Sequence, residues 1–143
     1  MKIIIGNDHA GVDLKKSLVK YLEDKGNEVV NVGTDTHESV DYPDIAGLVA
    51  SLVLENKNSL GIVICGTGIG ISIAANKVKG IRAALCSNEL MARLARQHND
   101  ANIISLGARI IGEDLAKVCV DAFIETEFEA GRHLRRVNKI EII

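Results

Sequence analysis

Short apolar runs alternate with stretches of helical periodicity along the whole chain. The runs are rich in β-branched residues and are bounded by glycine or polar residues, which is typical of strands buried inside a parallel sheet. They read KIIIG at 2–6, EVVNVG at 28–33, GIVIC at 61–65, RAALC at 82–86 and NIISLG at 102–107. We therefore predict five buried strands.

Between the runs, apolar residues recur every three or four positions, as on one face of a helix. Gly26 follows the first such stretch as a stop signal, and Pro43 stands where the second helix would begin. Another helix is expected to start near Gly70. The apolar stripes are Leu14, Leu18, Val19 and Leu22; Ile45, Leu48, Val49, Leu52 and Val53; Leu90, Met91, Leu94 and Ala95; and Leu115, Val118, Cys119, Ala122 and Phe123.

Strand–helix alternation of this kind predicts right-handed crossovers and a parallel sheet covered on both faces. The expected fold is α/β, a three-layer α/β/α sandwich around a five-stranded parallel Rossmann-like sheet. No repeat or linker interrupts the pattern, so residues 1–143 are expected to form one domain. A basic C-terminal helical segment is expected at about 131–143.

Composition narrows the class of protein. The chain has 143 residues, a net charge of −2 and only 3% aromatic residues, which indicates an aliphatic core and argues against a nucleic-acid or membrane surface. Three scattered cysteines form no disulfide or zinc pattern. MKIIIG is too short for a signal peptide, and no apolar run could span a membrane. These features indicate a cytoplasmic protein.

Sites in such sheets lie at the carboxyl ends of the strands, close to the point where the strand order reverses. Polar and reactive residues crowd these positions in the sequence. They are Asn7, Asp8 and His9 after the first strand, residues 65–70 after the third, Ser87 and Asn88 after the fourth, and residues 107–109 after the fifth.

Gly66, Gly68 and Gly70 have the spacing G-x-G-x-G, one residue short of the dinucleotide fingerprint, and no phosphate-loop lysine follows. Their N–H groups would converge at a helix N-terminus, which binds anions and stabilises developing negative charge. Cys65 directly precedes this turn, and the same field favours a thiolate. The pair would supply a base beside an oxyanion hole. On these residues alone, a buried structural cysteine beside a tight turn remains an equal alternative.

Other polar pairs also have two interpretations. Asp8 and His9 could take part in the chemistry of the site, or Asp8 could cap a helix beside an incidental histidine. His98 and Asn99 could likewise be functional, or they could simply end a helix. Arg132 and Arg136 share one helix face, which suits a phosphate dianion or a basic helix end. Arg135 and His37 are expected to be solvated. Together these groups suggest proton abstraction beside the carbonyl of a small sugar phosphate, with no cofactor and no metal.

The chain also resembles the ribose-5-phosphate isomerase B family, the sugar-phosphate isomerases that include the galactose-6-phosphate isomerase subunits. The resemblance spans nearly the whole chain in order. It is carried by GNDHAG (6–11), ESVDYPD (38–44), ICGTGIGISIAANK (64–77), GIRAALC (80–86), ARQHNDANI (95–103) and AGRHLRRV (130–137).

This resemblance implies interconversion of ribose 5-phosphate and ribulose 5-phosphate, with Cys65 as the general base. Thr67 would position the thiolate, and His98, with Asp8 nearby, would assist opening of the furanose ring. It also implies a dimer or a dimer of dimers with sites across the subunit interface. The implied sugar-binding residues are Asp8, His9, Tyr42, Gly66, Thr67, Gly68, Ile69, Gly70 and Asn99, and the implied phosphate ligands are His9, Arg109, Arg132 and Arg136.

One subclass of this family carries a glutamate base at the position of Ile71, and Ile71 cannot move a proton. The galactose-6-phosphate isomerase subunits generally lack the cysteine and the Asp-His pair, which are both intact here as Cys65, Asp8 and His9. The resemblance therefore favours Cys65 as the base and the pentose phosphate as substrate. Allose 6-phosphate and galactose 6-phosphate remain alternatives, as does an α/β module that binds a phosphosugar without turnover.

Overall fold

Five parallel strands form one sheet in the computed structural model, which describes residues 1–143. Each predicted strand is present and ends within two residues of its expected bounds. The second strand stops early because the chain turns at Gly33, whose φ of +88° is left-handed. The strands are β1 (Lys2–Asn7), β2 (Glu28–Asn31), β3 (Leu60–Cys65), β4 (Ala83–Leu85) and β5 (Ile103–Gly107).

Six α-helices connect and follow the strands, and a 3-10 turn at His9–Gly11 precedes the first helix. The helix expected near Gly70 begins one residue earlier, and the basic C-terminal segment is helical, as predicted. The helices are α1 (Val12–Asp24), α2 (Tyr42–Glu55), α3 (Ile69–Ala75), α4 (Glu89–Asn99), α5 (Glu113–Glu125) and α6 (Arg132–Glu141).

Two aliphatic clusters cover the two faces of the sheet and confirm the three-layer sandwich. One contains 18 buried residues and joins the sheet to α1, α4 and α5. The other contains 11 buried residues and joins the opposite face to α2 and α3. Each fully buried Ile, Leu or Val contributes about 1.5–3 kcal/mol by leaving water, so a core with few aromatic residues suffices.

The strand order is β2-β1-β3-β5-β4. β2 lies on one side of β1. β5 and β4 lie on the other side of the sheet, beyond β3. The order therefore reverses between β1 and β3, and a crevice forms outside their carboxyl ends. This is the edge of the sheet at which the sequence places Asp8, His9 and Cys65.

The opposite, amino edge of the sheet is where α4 ends and where α6 packs. A helix between two parallel strands runs antiparallel to them, so the last turn of α4 returns to the amino ends. Arg82, just before β4, donates from Nε to the carbonyl oxygen of Asn99 at 3.1 Å and also binds Glu141 in α6. The polar contacts of Arg82 thus join both helices to this edge. No helix of the protein has the length and apolar character needed to cross a membrane.

Candidate active site

The Cys65 thiol ends β3 and is almost fully buried, with 5% of the residue exposed. The N–H group of Gly68 donates to its Sγ atom at 3.1 Å. A backbone donor aimed at sulphur stabilises negative charge there, and the first N–H groups of α3 have no acceptor within their own helix. The Ile69 N–H is held by Thr67 Oγ1 at 3.2 Å. One backbone donor therefore faces the thiol, and the next N–H group of the loop is held by the Thr67 hydroxyl.

Gly68 gives this loop its shape. Its φ of +77° is left-handed, and a Cβ atom there would lie 2.7 Å from Leu85 Cδ1 and 2.9 Å from the carbonyl carbon of Leu106. The hydroxyl of Ser105, a fully buried residue, donates to the Gly68 carbonyl at 2.6 Å. The left-handed backbone and the lack of space for a Cβ atom both require glycine, and the Ser105 hydrogen bond holds the turn in place.

Replacing Gly68 with alanine should therefore destabilise the protein, because the left-handed conformation alone costs about 1–2 kcal/mol for a residue with a Cβ. Gly47→Ala is the matched control, since nothing lies within 4 Å of its Cβ position inside α2. That variant should gain about 0.5–1 kcal/mol. Urea unfolding measures both. Equal unfolding midpoints for the two variants would show that the turn does not require glycine.

The other two loop glycines admit large side chains close to the backbone. Arg109 Nη1 lies 3.1 Å from the Cβ position of Gly66, and the Arg109 N–H donates to the Gly66 carbonyl at 2.9 Å. The Tyr42 ring comes within 2.6 Å of the Cβ position of Gly70. A guanidinium therefore packs against the start of the loop and a phenol against its end.

Asp8 and His9 lie beside this loop, since the Asp8 N–H donates to the carbonyl of Ile64 at 3.0 Å. The buried Asp8 carboxylate accepts from the Ala10 N–H at 2.9 Å, so it does cap the short turn that follows. His9 Nδ1 accepts from the Val40 N–H at 3.2 Å. In the neutral ring this places the proton on Nε2, which leaves a donor free to meet an anion.

Lys15 is a supporting residue that the sequence interpretation missed. Its fully buried ammonium donates to the carbonyls of Val32 and Thr34, at 3.1 and 3.0 Å, and pairs with Asp35 at 3.0 Å. It thereby anchors the segment that leads to Val40 and the His9 contact. The signal was present, because Lys15 falls on the helix face of Leu18 and Leu22 in an otherwise apolar stripe.

His98, Asn99, Arg132 and Arg136 lie elsewhere in the chain. The first two belong to the last turn of α4 and the arginines to α6, all at the amino edge of the sheet. β3 alone separates the edges by about 20 Å, at about 3.3 Å per residue. Within one chain, Asp8 is therefore not a neighbour of His98, and the arginines do not face the thiol.

Arg132, Arg135 and Arg136 are all exposed on α6, while His133 on the inner face of that helix is buried. The His133 ring stacks on the His98 ring with centroids 4.3 Å apart and planes inclined by 14°. Glu129 lies 3.8 Å from His133 Nε2. These three side chains bring their ligand atoms within 4.8 Å of one another. Stacked rings direct their nitrogen lone pairs along nearly parallel planes, so they do not converge on one ion as metal ligands must.

The remaining polar candidates have structural roles. Asn88 caps α4 by accepting from the Met91 N–H at 2.9 Å. His37 is exposed and lies 3.6 Å from the exposed Asp13. Cys86 and Cys119 are buried in the core, and burial raises the pKa of Cys86 to about 12 and that of Cys119 above its usual range. Neither thiol is suited to act as a base.

Known proteins are similar to this chain in both sequence and fold. The family model described as ribose/galactose isomerase matches residues 3–140. Ribose-5-phosphate isomerase B of Escherichia coli is 49% identical over 142 residues, which cover 99% of this chain and 95% of that protein. The structure of Clostridium thermocellum ribose-5-phosphate isomerase B is similar with a TM-score of 0.97 at 55% identity, over 99% and 96% of the two chains.

A third relative was solved with a sugar phosphate. Ribose-5-phosphate isomerase B of Mycoplasma genitalium with bound ribulose-5-phosphate has a TM-score of 0.95 and 45% identity, over 99% of this chain and 94% of that one. The family model extends from β1 to the basic helix α6 and includes the loop at Cys65. The chain belongs to the ribose/galactose isomerase family.

Proposed function

We propose that this protein is an aldose–ketose isomerase that interconverts ribose 5-phosphate and ribulose 5-phosphate through an enediolate. The observation that carries the proposal is the buried Cys65 thiol, with an N–H group 3.1 Å from its sulphur, at the switch point of the sheet. All 143 residues serve as one sugar-phosphate isomerase domain. No step of the reaction requires a cofactor.

In the proposed reaction the Cys65 thiolate takes the proton from C2 of the open-chain aldose. The electron pair of that C–H bond forms the C1–C2 double bond, and the carbonyl oxygen becomes the enediolate oxygen. Return of the proton to C1, with transfer of the hydroxyl proton from O2 to O1, gives the ketose. The loop donors between Gly66 and Gly70 stabilise the negative oxygen, which is where such donors lower the barrier most.

The complete site forms between two copies of the chain. His9 and Arg109 lie at the edge of the sheet that carries the Cys65 loop, but Arg132 and Arg136 project from the opposite edge of their own chain. Two guanidiniums on one helix face suit bidentate capture of a phosphate. A homodimer in which α6 of one copy reaches the loop of the other would supply them, with His98 and Asn99 of that copy at the sugar ring and near Asp8.

A phosphosugar-binding module without turnover is the second candidate. Such a module needs the arginines and the donor-lined loop, but it needs no thiol at the end of β3. The buried thiol held by the Gly68 N–H favours the enzyme, because a sensor gains nothing from a stabilised thiolate.

A coupled assay with ribose 5-phosphate, allose 6-phosphate and galactose 6-phosphate tests the proposal. We expect ribose 5-phosphate to have the highest kcat/KM and activity to persist after dialysis against a chelator. Binding of ribose 5-phosphate without turnover would establish the module instead. A higher kcat/KM for either hexose phosphate would reassign the substrate, and loss of activity with the chelator would contradict a metal-free reaction.

A further inference from the structure

His133 makes the closest aromatic contact of the chain, and the proposed reaction has so far given it no role. Its ring stacks on His98, the residue proposed to open the furanose, with centroids 4.3 Å apart. His98 is half-buried, whereas His133 is 8% exposed. The segment before α6 is tied to the last turn of α4, since the Glu129 N–H donates to the Gln97 carbonyl at 3.1 Å. A backbone hydrogen bond thus fixes the two segments that carry the stacked rings.

The two rings occupy opposite electrostatic positions. His98 lies in the last turn of α4, where the partial negative charge of the helix end favours a cation. His133 lies in the first turn of α6, where the partial positive charge of the helix end disfavours one. Two stacked imidazoles repel each other when both carry a positive charge. The two helix ends thus carry opposite partial charges, and the end at His133 opposes a positive charge on that ring.

The surroundings of His133 act in the same direction. Burial lowers the pKa of His133 below its usual range, and the adjacent His98, Arg132 and Arg136 lower it further, while Glu129 alone opposes them. At neutral pH the His133 ring is therefore uncharged. A neutral ring can lie flat against His98 without repelling a proton placed there.

From this arrangement we infer that His133 is a positioning residue, which holds the His98 ring in the plane needed to exchange a proton with the ring oxygen of the furanose. The inference rests on the proposed function, in which His98 opens the sugar ring. His133 does not touch the reacting atoms in this scheme. Misplacement of a catalytic group by about 1 Å can lower a rate by about a hundredfold, so orientation by a stacked ring is a sufficient effect.

The test compares two substrates, one cyclic and one acyclic. Ribose 5-phosphate closes to a furanose through its 4-hydroxyl, whereas erythrose 4-phosphate carries its phosphate on that oxygen and cannot close. With ribose 5-phosphate, His133→Ala should lower kcat/KM by about ten- to a hundredfold, with most of the loss in kcat. With erythrose 4-phosphate the same variant should stay within about threefold of wild type, because no ring has to open.

Two further variants separate stacking from simple support of the helix. His133→Phe keeps a flat ring on His98 and should restore most of the lost rate with ribose 5-phosphate. Val137→Ala removes a buried side chain one turn further along the same inner face, where 5% of the residue is exposed. It weakens the packing of α6 without touching the stack, so it should affect both substrates equally.

Equal losses on the two substrates for His133→Ala, or no rescue by His133→Phe, would overturn the inference and leave His133 as a helix anchor. NMR of the ligand-free enzyme decides independently of turnover. The ring-proton resonances of His98, assigned with His98→Asn, should lose their ring-current shift in His133→Ala and keep it in His133→Phe. Unchanged resonances in both would exclude the stack. Failure of the proposed function would appear separately, as wild-type enzyme that does not isomerise ribose 5-phosphate.

Discussion

Replacing Cys65 with alanine is expected to lower kcat for ribose 5-phosphate by about 10²–10⁴-fold, the contribution of a positioned general base. KM should change little, because in the proposed site the thiol faces the reacting carbons and not the phosphate. Serine is the sharper substitution, since it keeps the shape of the site and the contact with the Gly68 N–H but replaces the thiol with a far weaker acid. Steady-state kinetics of the two variants measures the effect.

Cys119→Ala is the matched control, because it removes a second buried thiol from the core on the other side of the sheet. It should lower the unfolding free energy and leave kcat within a few-fold of wild type. Isothermal titration with ribose 5-phosphate should show that Cys65→Ala still binds. Near wild-type turnover in Cys65→Ala, with binding intact, would exclude Cys65 as the base and return the loop to a structural role.

Substitution of the α6 arginines is expected to have the second large effect, on KM. Arg132→Ala and Arg136→Ala should each raise KM by roughly 10- to 150-fold, since a hydrogen bond to a charged group is worth about 1.5–3 kcal/mol. Arg135→Ala is the control on the same exposed helix and should leave KM unchanged. Unchanged KM in both test variants would move the phosphate site away from α6.

Because the thiol and the arginines lie at opposite edges of one chain, mixing two variants that each lack one part of the site tests where the site forms. Cys65→Ala combined with the double variant of Arg132 and Arg136 should recover about a quarter of wild-type activity. Half of the randomly formed dimers are mixed, and each mixed dimer has one intact site of two. If the mixture stayed inactive after subunit exchange, demonstrated with differently tagged chains, the shared site would be wrong.

The fold was predictable because the sequence repeats one signal consistently. Apolar runs of strand length and helical stripes alternate without interruption, and Pro43 and Gly26 mark helix boundaries that the structure reproduces. Where the prediction deviated, local backbone geometry decided. The second strand ends before Gly33, whose left-handed φ no apolar pattern reports. The apolar pattern does not report the backbone angles at the end of a strand, so it does not fix the last residue of the strand.

The candidate site was predictable at one edge only. The rule for parallel sheets places Asp8, His9 and the Cys65 loop together, and the structure does bring them together. The same rule could have placed His98 at the other edge, because a helix between parallel strands must run back. What no single sequence carries is the position of a second chain, which depends on surface complementarity. His133 was missed for a related reason, since its partner lies 35 positions away.

The backbone N–H groups of the Cys65 loop affect how the site can change by mutation. A point substitution removes a side chain, but only proline removes an N–H group, so mutation at Thr67 or Ile69 leaves the amide donors of those residues in place. Substitution of Tyr42, Arg109 or the α6 arginines, the proposed sugar and phosphate ligands, can therefore change the side chains of the site while the amide donors of the turn stay in place. The backbone part of the candidate site is therefore harder to remove by substitution than its side chains.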